Sequence, residues 1–301
     1  MFDLTKIELR DMTFLNKAGG TISAIYSTYR EVEPHSIVVV SPGYGKKKRS
    51  FGVVSAYLAG RGYATLRFDL TNHIGDSDGE IANLTMGSIA GDIEAAMEIA
   101  ADLLPGRPIF LVAASLSGRA AIRVAAKRSI AGSVLLLPVM ELKSTLARVV
   151  GNRDPIGEWL DGSTREINDG GMVAGHYVKF GFAKEACESH WHGMERTKTE
   201  MGAIQAPVTI IACAEDDWVA LADVETVMSE QIASQSYPRN VVVIEASSHD
   251  ISSNPPVARA MIEKIIEALD QAGGLPYREV DHLSFGTIVE LRNLEYARSA
   301  N

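Results

Sequence analysis

Three residues able to carry nucleophilic catalysis, Ser115, Asp216 and His249, each follow an apolar run of the chain. A serine hydroxyl is a weak nucleophile at neutral pH, so it needs a base to accept its proton and a third group to orient that base. His249 is the candidate base because a loop after its apolar run could bring the imidazole over Ser115. Asp216 is the candidate orienting acid. These residue types predict acyl transfer or hydrolysis through an acyl-serine intermediate.

The segment around Ser115 has the layout of a nucleophile elbow, in which a buried strand, a sharp turn carrying the serine and a helix follow one another. The turn requires small residues two positions before and after the serine. Ala113 and Ser117 stand where the usual pattern has glycine, and neither side chain exceeds a hydroxymethyl group. The chain order serine, aspartate, histidine is that of α/β-hydrolases. Each residue alone has a structural explanation, such as a helix N-cap for the serine, but the three together favour catalysis.

Three neighbouring acidic residues compete for the orienting role. Asp216 is preferred to Asp217 because these folds usually place the acid three residues before an apolar residue, here Val219. Glu215 lies nearest the preceding strand and is the weakest candidate.

The negative oxygen of a tetrahedral intermediate needs hydrogen-bond donors, and two backbone N–H groups are candidates. The first is that of Leu116, directly after the nucleophile at a helix N-terminus. The second is that of Tyr44 in the loop Pro-Gly-Tyr-Gly of residues 42–45, where the glycines allow close backbone approach.

Four consecutive cations, Lys46, Lys47, Lys48 and Arg49, follow this loop and precede a predicted helix. Cations at a helix N-terminus oppose the macrodipole, so helix stability does not explain them. They are predicted to contact an acidic carrier protein or the phosphates of a pantetheine arm. The alternative is a solvated loop.

The predicted elements alternate between β-rich apolar runs and helical patterns, which is typical of a mostly parallel central sheet flanked by helices. The inner runs are apolar at consecutive positions, so both faces of the sheet must be covered. The candidate strands are residues 6–11, 21–29, 36–41, 64–69, 108–114, 132–137, 208–214 and 241–246. The candidate helices are residues 50–60, 86–103, 116–127, 222–235 and 257–272.

Residues 140–203 interrupt the alternation, without a clear buried strand, and are predicted to form a small cap over the site. Residues 1–139 and 204–301 would then form the α/β-hydrolase core. The alternative for the interruption is a long irregular surface excursion. Residues 283–291 could add an edge strand or pack as an extension. His73, shortly after a predicted strand, is expected to shape a loop at the carboxyl edge of the sheet rather than to do chemistry.

Composition bounds the remaining function classes. A chain of 301 residues that is 46% hydrophobic can bury one large core, and its net charge of −9 disfavours nucleic-acid binding. No apolar run approaches about 20 residues, so no membrane span is expected, and the charged first ten residues do not read as a signal peptide. The expected location is the cytoplasm. His190 and His192 lie near Cys187 but lack a fourth ligand, so no metal is expected, and serine chemistry implies no organic cofactor.

With these residues located, the sequence resembles the bacterial acyl transferases of bioluminescence operons, the myristoyl-ACP-specific thioesterases. The resemblance implies an α/β-hydrolase fold, a serine acyl-enzyme and fatty acyl thioester substrates, with Ser115, Asp216 and His249 as the triad. Residues 150–181 do not match and the loop after Tyr44 is more basic, so the myristoyl specificity is not carried over. The matching stretches are Ala-Ala-Ser-Leu-Ser at 113–117, Asp-Asp-Trp-Val at 216–219, Ser-Ser-His-Asp at 247–250, Ser-His-Trp at 189–191, and residues 69–86 with His73, Gly75, Ser77, Gly79 and Leu-Thr-Met at 84–86.

The leading hypothesis is therefore a serine-dependent acyl transferase or thioesterase acting on acyl-carrier-protein or coenzyme A thioesters. A carboxylesterase of small esters is the alternative, since the same residues serve both reactions. A non-catalytic binding protein on a hydrolase scaffold is disfavoured by the intact triad residues. A nicotinamide dehydrogenase is disfavoured because no G-x-G-x-x-G follows the first strands. The acyl chain, the acceptor and the oligomeric state are left open.

Overall fold

Eight strands form one central sheet in the computed structural model, which describes residues 3–151, 153–163, 169–232, 236–245, 249–250, 254–276 and 284–298. The strand order is β1-β2-β4-β3-β5-β6-β9-β10. β1 and β2 are antiparallel to each other, β2 is antiparallel to β4, and the remaining neighbours are parallel. The strands are β1 Ile7–Leu15, β2 Thr21–Tyr29, β3 Ser36–Ser41, β4 Tyr63–Phe68, β5 Ile109–Ala114, β6 Gly132–Leu136, β9 Val208–Cys213 and β10 Arg239–Ile244.

Two hydrophobic layers cover the two faces of this sheet, as the consecutive apolar positions predicted. Along β3, Ile37 and Val39 face one buried cluster, whereas Val38 and Val40 face the other. Helices α2 Met86–Leu103, α3 Leu116–Ala125 and α8 Leu221–Ile232 supply the first cluster. Helices α1 Gly52–Gly60 and α9 Pro255–Ala272 supply the second.

The inner strands are confirmed to within one residue at each end, because a strand buried on both faces is fully marked by its apolar run. β1 is longer than the predicted 6–11 and reaches Leu15, which pairs with Thr21. β10 begins two residues earlier than predicted and ends at Ile244. Residue 246 of that prediction lies outside the described residues.

The insertion between β6 and β9 contains four helices and one hairpin in its described part. The hairpin strands pair with each other and not with the central sheet. Helix α6 packs against α2, and α7 packs against α3 and α8. The elements are α4 Leu142–Val150, α5 Pro155–Leu160, β7 Gly170–Val173, β8 His176–Lys179, α6 Gly181–Glu188 and α7 Met194–Ala203.

The last described element is helix α10, Phe285–Arg298, which packs against α1. The edge-strand alternative is therefore wrong for residues 285–291, and the packed extension is correct. Residue 283 of that prediction lies outside the described residues. The Glu295 carboxylate enters the core and lies 2.6 Å from the buried guanidinium of Arg67. Among the described residues, no helix combines the length and apolarity that crossing a membrane requires.

Candidate active site

The turn between β5 and α3 holds Ser115 in a strained backbone conformation, with φ 52° and ψ −120°. A non-glycine residue held in such a conformation costs about 1–3 kcal/mol, so the surroundings must enforce it. The Ser115 N–H donates to the Leu136 carbonyl at 2.8 Å, and the Ser115 carbonyl accepts from Gly118 at 2.9 Å and Val139 at 3.1 Å. Neighbouring backbone therefore fixes the turn on both sides of the serine.

The structure brings Ser115, His249 and Asp216 together at the carboxyl edge of the sheet. His249 Nε2 lies 2.7 Å from Ser115 Oγ, and its Nδ1 lies 2.8 Å from Asp216 Oδ2. The side chains of His249 and Asp216 are 9% and 3% exposed. With Nδ1–H donating to the carboxylate, Nε2 is left to accept the serine proton. This geometry can perform proton transfer from the hydroxyl during nucleophilic attack.

The loop after β9 holds His249 by both its ring and its backbone. Asp216 Oδ1 accepts hydrogen bonds from the backbone N–H groups of Trp218 at 2.8 Å and Val219 at 2.9 Å. Asp217 instead accepts from the His249 backbone N–H at 3.0 Å. The Trp218 ring stacks on the imidazole, with centroids 4.7 Å apart. Asp216 thus binds the ring and Asp217 the backbone, a division of roles that the sequence did not indicate; Glu215 is exposed.

The loop after β3 lies against the elbow. A Cβ atom on Gly43 would come within 3.1 Å of Ser115 Cβ, tighter than nearly all such contacts in proteins, so glycine lets the loop approach the elbow without displacing it. Ser117 Oγ donates to the Pro42 carbonyl at 2.6 Å and joins α3 to the loop. Leu116 is the first residue of α3, where an N–H has no acceptor within the helix. The two peptides predicted to supply oxyanion donors therefore flank the serine.

The Tyr44 side chain connects this loop to the insertion. Its hydroxyl donates to the Val173 carbonyl in β7 at 3.0 Å, and its ring meets His176 of the hairpin at 6.0 Å between centroids. Burial raises the pKa of the Tyr44 phenol, so the group remains a donor. This contact between residues 129 positions apart had no sequence signal.

The basic run is not a uniform solvent-facing patch. Lys48 is 2% exposed and its ammonium lies 2.5 Å from both Asp69 and Asp76, so its prediction as a carrier contact is wrong. Arg49 is half-buried and donates to the Glu295 carbonyl at 3.0 Å. Carboxylates distant in sequence neutralise Lys48 and a distant backbone carbonyl binds Arg49, and a local charge run does not reveal these partners.

The other two cations of the run remain accessible. Lys46 is 40% exposed and pairs at 3.0 Å with Asp250, the residue after the candidate base. Lys47 is exposed.

An apolar pocket opens beside Ser115. It encloses about 470 Å³ of space between atoms, including part open to solvent, and a second pocket of about 370 Å³ continues it away from the serine. Four residues line both, namely Leu146, Val173, Val178 and Phe182. The first is further lined by Tyr44, Leu84, Leu116, Val139, Leu142, Thr145, Val149 and Trp218. The apolar lining beside the serine suits an apolar acyl group attached to a reacting carbonyl.

The histidine pair of the insertion does not assemble a metal site. His192 Nδ1 lies 3.3 Å from the Ala186 carbonyl, His190 is exposed, and Cys187 is buried. Within the described ranges, no three histidine, cysteine or acidic side chains are grouped so that they could hold a metal ion.

The sheet order and the strained serine between β5 and α3 define a protein of the α/β-hydrolase class. In structure the chain is similar to the α/β-hydrolase GrgF from Penicillium, with a TM-score of 0.66, 15% identity and coverage of 89% of this chain and 100% of the other. It is also similar to the esterase Pf2001 of Pyrococcus furiosus, with a TM-score of 0.63, 18% identity and coverage of 88% and 93%.

Residues 26–273 match the family described as acyl transferase, and the chain belongs to that family. It is 26% identical over 243 residues to an acyl transferase of Photobacterium leiognathi, covering 79% of this chain and 73% of the relative. The resemblance drawn from the motifs is thus confirmed at the level of the family, and the protein is an enzyme of the acyl-transferring type.

Proposed function

We propose that this protein is a serine-dependent acyl transferase or thioesterase that accepts acyl thioesters of acyl carrier protein or coenzyme A. The observation that carries the proposal is His249, whose two ring nitrogens join Ser115 and Asp216 at 2.7 and 2.8 Å beside an apolar pocket. Family membership supports transfer of an acyl group. The thioester and its carrier come from the resemblance.

The first half of the reaction forms the acyl-enzyme. Ser115 Oγ attacks the thioester carbonyl carbon while His249 Nε2 accepts the hydroxyl proton, and the carbonyl electron pair moves onto oxygen. The N–H groups of Leu116 and Tyr44 donate to that oxygen. The C–S bond then breaks, the carbonyl re-forms, and His249 returns its proton to the departing sulfur. Asp216 keeps Nδ1 protonated and stabilises the imidazolium that forms in between.

The second half releases the acyl group. Water or another nucleophile gives its proton to His249 Nε2 as it attacks the ester carbonyl. The C–O bond to Ser115 breaks and the serine oxygen recovers the proton from His249. The proton transfers and the negative oxygen of the intermediate are the same in kind as in the first half, so His249, Asp216 and the two N–H donors serve both halves.

Residues 140–203 act as the cap in this proposal, over a core of residues 1–139 and 204–301. The support is the composition of the pocket wall. Leu142, Leu146, Val173, Val178 and Phe182 all come from the insertion, whereas the serine comes from the core. The acyl chain would therefore lie between the two parts.

The accessible part of the basic run is retained as a contact for the acidic carrier or the pantetheine phosphates. Lys47 is exposed, and its neighbour Lys46 pairs with Asp250, the residue directly after the candidate base His249. Lys47→Glu should raise KM for carrier-bound substrate and leave turnover of a small ester unchanged. Equal effects on both substrates would remove the carrier contact from the proposal.

Intact-protein mass spectrometry tests the central step. Wild type and Ser115→Ala are exposed briefly to a panel of acyl-CoA and acyl-carrier thioesters. The expected result is a mass gain of one acyl group in wild type only, with the largest adduct naming the acyl chain. No adduct together with no thioester loss in either protein would overturn the thioesterase assignment.

A carboxylesterase of small esters is the second candidate, and the similarity to the Pyrococcus furiosus esterase fold favours it. The two are separated by comparing kcat/KM for a p-nitrophenyl ester and a thioester of the same acyl group. A third possibility, a non-catalytic binding protein, requires that wild type fail to label with a fluorophosphonate that reacts with activated serines.

The cytoplasmic location remains a prediction from the sequence.

A further inference from the structure

The loop that carries Tyr44 is a tight turn whose central peptide has two possible orientations. The Lys46 N–H donates to the Gly43 carbonyl at 3.1 Å, and Gly45 has φ +70°, the pattern of a type II turn. Type I and type II turns differ in the orientation of the peptide between the second and third residues, here Tyr44 and Gly45. A flip of this peptide would turn the Tyr44 carbonyl and the Gly45 N–H, whereas the Tyr44 N–H belongs to the preceding peptide and is placed by the turn as a whole.

His73 holds this peptide in one orientation. The Gly45 N–H donates to His73 Nε2 at 3.0 Å, so the N–H of the central peptide must point toward the imidazole. The His73 ring is 5% exposed and meets the Tyr44 ring edge-on, with centroids 5.7 Å apart. The His73 side chain therefore anchors the turn through one hydrogen bond and one ring contact.

The imidazole can accept this hydrogen bond because it is neutral. Burial lowers the pKa of His73 to about 4, against the opposing effects of the Ile74 backbone and the Asp69 carboxylate. Nε2 therefore carries a free lone pair at neutral pH, with the ring proton on Nδ1.

The segment that carries His73, residues 69–79, is a fixed support. The Asp76 N–H donates to the Asp69 carboxylate at 2.9 Å, and Ser77 Oγ donates to the Asp69 carbonyl at 2.7 Å. The Asp78 N–H donates to the Thr21 carbonyl at 2.9 Å, which attaches the segment to β2. The position of His73 is thus set by the sheet and not by the turn that it holds.

We propose that His73 is a positioning residue, which keeps the Tyr44 N–H in place for the oxyanion by anchoring the turn at Gly45 and by contacting the Tyr44 ring. The inference rests on the proposed function, since it concerns the acyl-serine reaction at Ser115. His73 touches no reacting atom and acts only through the turn. A donor held before the reaction starts lowers the barrier, whereas one that must first reorient does not.

Two pairs of variants test the proposal. His73→Phe keeps an aromatic ring and removes the acceptor, whereas His73→Gln places an amide oxygen at about the reach of Nε2. His73→Asn is the shorter partner of the glutamine, too short to reach Gly45. Removing an oxyanion donor outright lowers kcat about 10²–10³-fold, so misplacing one should lower it about 10–100-fold.

The expected result is that kcat for a p-nitrophenyl acyl ester falls in the phenylalanine and asparagine variants, with KM unchanged, and recovers in His73→Gln. The inhibition constant of octylboronic acid, whose serine adduct places an oxygen in the same site, should rise in parallel with the fall in kcat. Loss of kcat that is equal in the glutamine and asparagine variants, or a change confined to KM, would overturn the positioning role.

Two controls distinguish failure of the His73 role from failure of the proposed acyl-serine reaction. His35 also bonds a backbone group, with Nε2 3.2 Å from the Arg61 carbonyl, but it lies before β3 at the opposite edge of the sheet. His35→Phe should leave kcat unchanged; a loss matching His73→Phe would show a general effect of losing a tethering histidine. If Ser115→Ala retains activity, the proposed function itself fails. If it is inactive while His73→Phe equals wild type, only the role of His73 fails.

Discussion

Asp216→Asn should lower kcat by about four orders of magnitude, and the structure shows why the amide cannot substitute. Asp216 Oδ1 accepts from the Trp218 and Val219 N–H groups, so the amide oxygen of an asparagine must occupy this position. The amide NH₂ is then left at the site of Oδ2, which lies 2.8 Å from His249 Nδ1. A donor there opposes Nδ1–H, which keeps only the 3.0 Å contact with the Oδ1 position, and favours the tautomer with the proton on Nε2, where it blocks proton transfer from Ser115.

The magnitude has two parts. The negative charge of the carboxylate lies about 4 Å from the positive charge of the imidazolium. At an effective dielectric constant of about 20, two such charges attract each other by about 4 kcal/mol. That loss corresponds to about 10³-fold in rate, since each 1.36 kcal/mol is about tenfold. The burial of Asp216, 3% exposed, leaves little solvent to replace the lost charge. The wrong tautomer adds about a further tenfold, in keeping with the roughly 10⁴-fold loss for the corresponding change in other serine enzymes.

The assay is steady-state kcat on a p-nitrophenyl acyl ester, with Asp217→Asn as the matched control. Both variants remove one negative charge from the same loop. An asparagine at 217 can still accept from the His249 N–H through its amide oxygen, so kcat should stay within about threefold of wild type, as expected for a change worth about 0.5 kcal/mol. An equal loss of kcat in Asp217→Asn and Asp216→Asn, or retention of more than a tenth of the activity in Asp216→Asn, would contradict the distinct role of Asp216.

Three further changes follow from the same geometry. Lys48→Met should lower the free energy of unfolding by about 3 kcal/mol because it leaves the buried Asp69 carboxylate without its cation; Lys47→Met should change it by less than about 0.5 kcal/mol in the same urea titration. Leu146→Trp should fill the passage between the two pockets and lower kcat/KM for long acyl esters at least tenfold more than for acetyl esters; equal losses would contradict it. Gly43→Ala should lower kcat without lowering the melting temperature, because its Cβ would press on the serine at 3.1 Å.

The strands of the sheet were predictable because the burial of each strand shows in its own run of residues. β2 and β3 match their predicted bounds, residues 21–29 and 36–41, since parallel or inner strands show their burial as apolar runs or close alternation. The hairpin β7–β8 was not predicted. Its strands have four residues each and pair only with each other, and β7 begins with two glycines, so no buried run marks them.

The site residues were predictable where chemistry demands a residue type at a strand end, and not where function depends on remote contacts. Ser115, Asp216 and His249 were named because nucleophile, acid and base each need a fixed chemical group. Lys48 was misplaced because its partners lie 21 and 28 residues away. His73 was predicted to shape a loop, and the structure places it beside one. Its acceptor bond to Gly45 had no sequence signal; Gly45 lies in the loop of residues 42–48 that carries the proposed donor Tyr44 and is here called the oxyanion loop.

The replacement of glycine by Ser117 in the elbow has a consequence beyond meeting a size limit. A glycine there has no side chain to donate, whereas Ser117 Oγ binds the Pro42 carbonyl at the start of the oxyanion loop. Together with the bond from Gly45 to His73 and the pairing of Lys48 with Asp69, this gives the loop three separate attachments over seven residues, 42–48. One attachment comes from the nucleophile helix and two from the segment after β4, so the donors and the serine are held to one another by the sheet. Stabilisation of a developing oxyanion depends on donors that need not reorganise, and in the proposed reaction these side-chain bonds would supply that order.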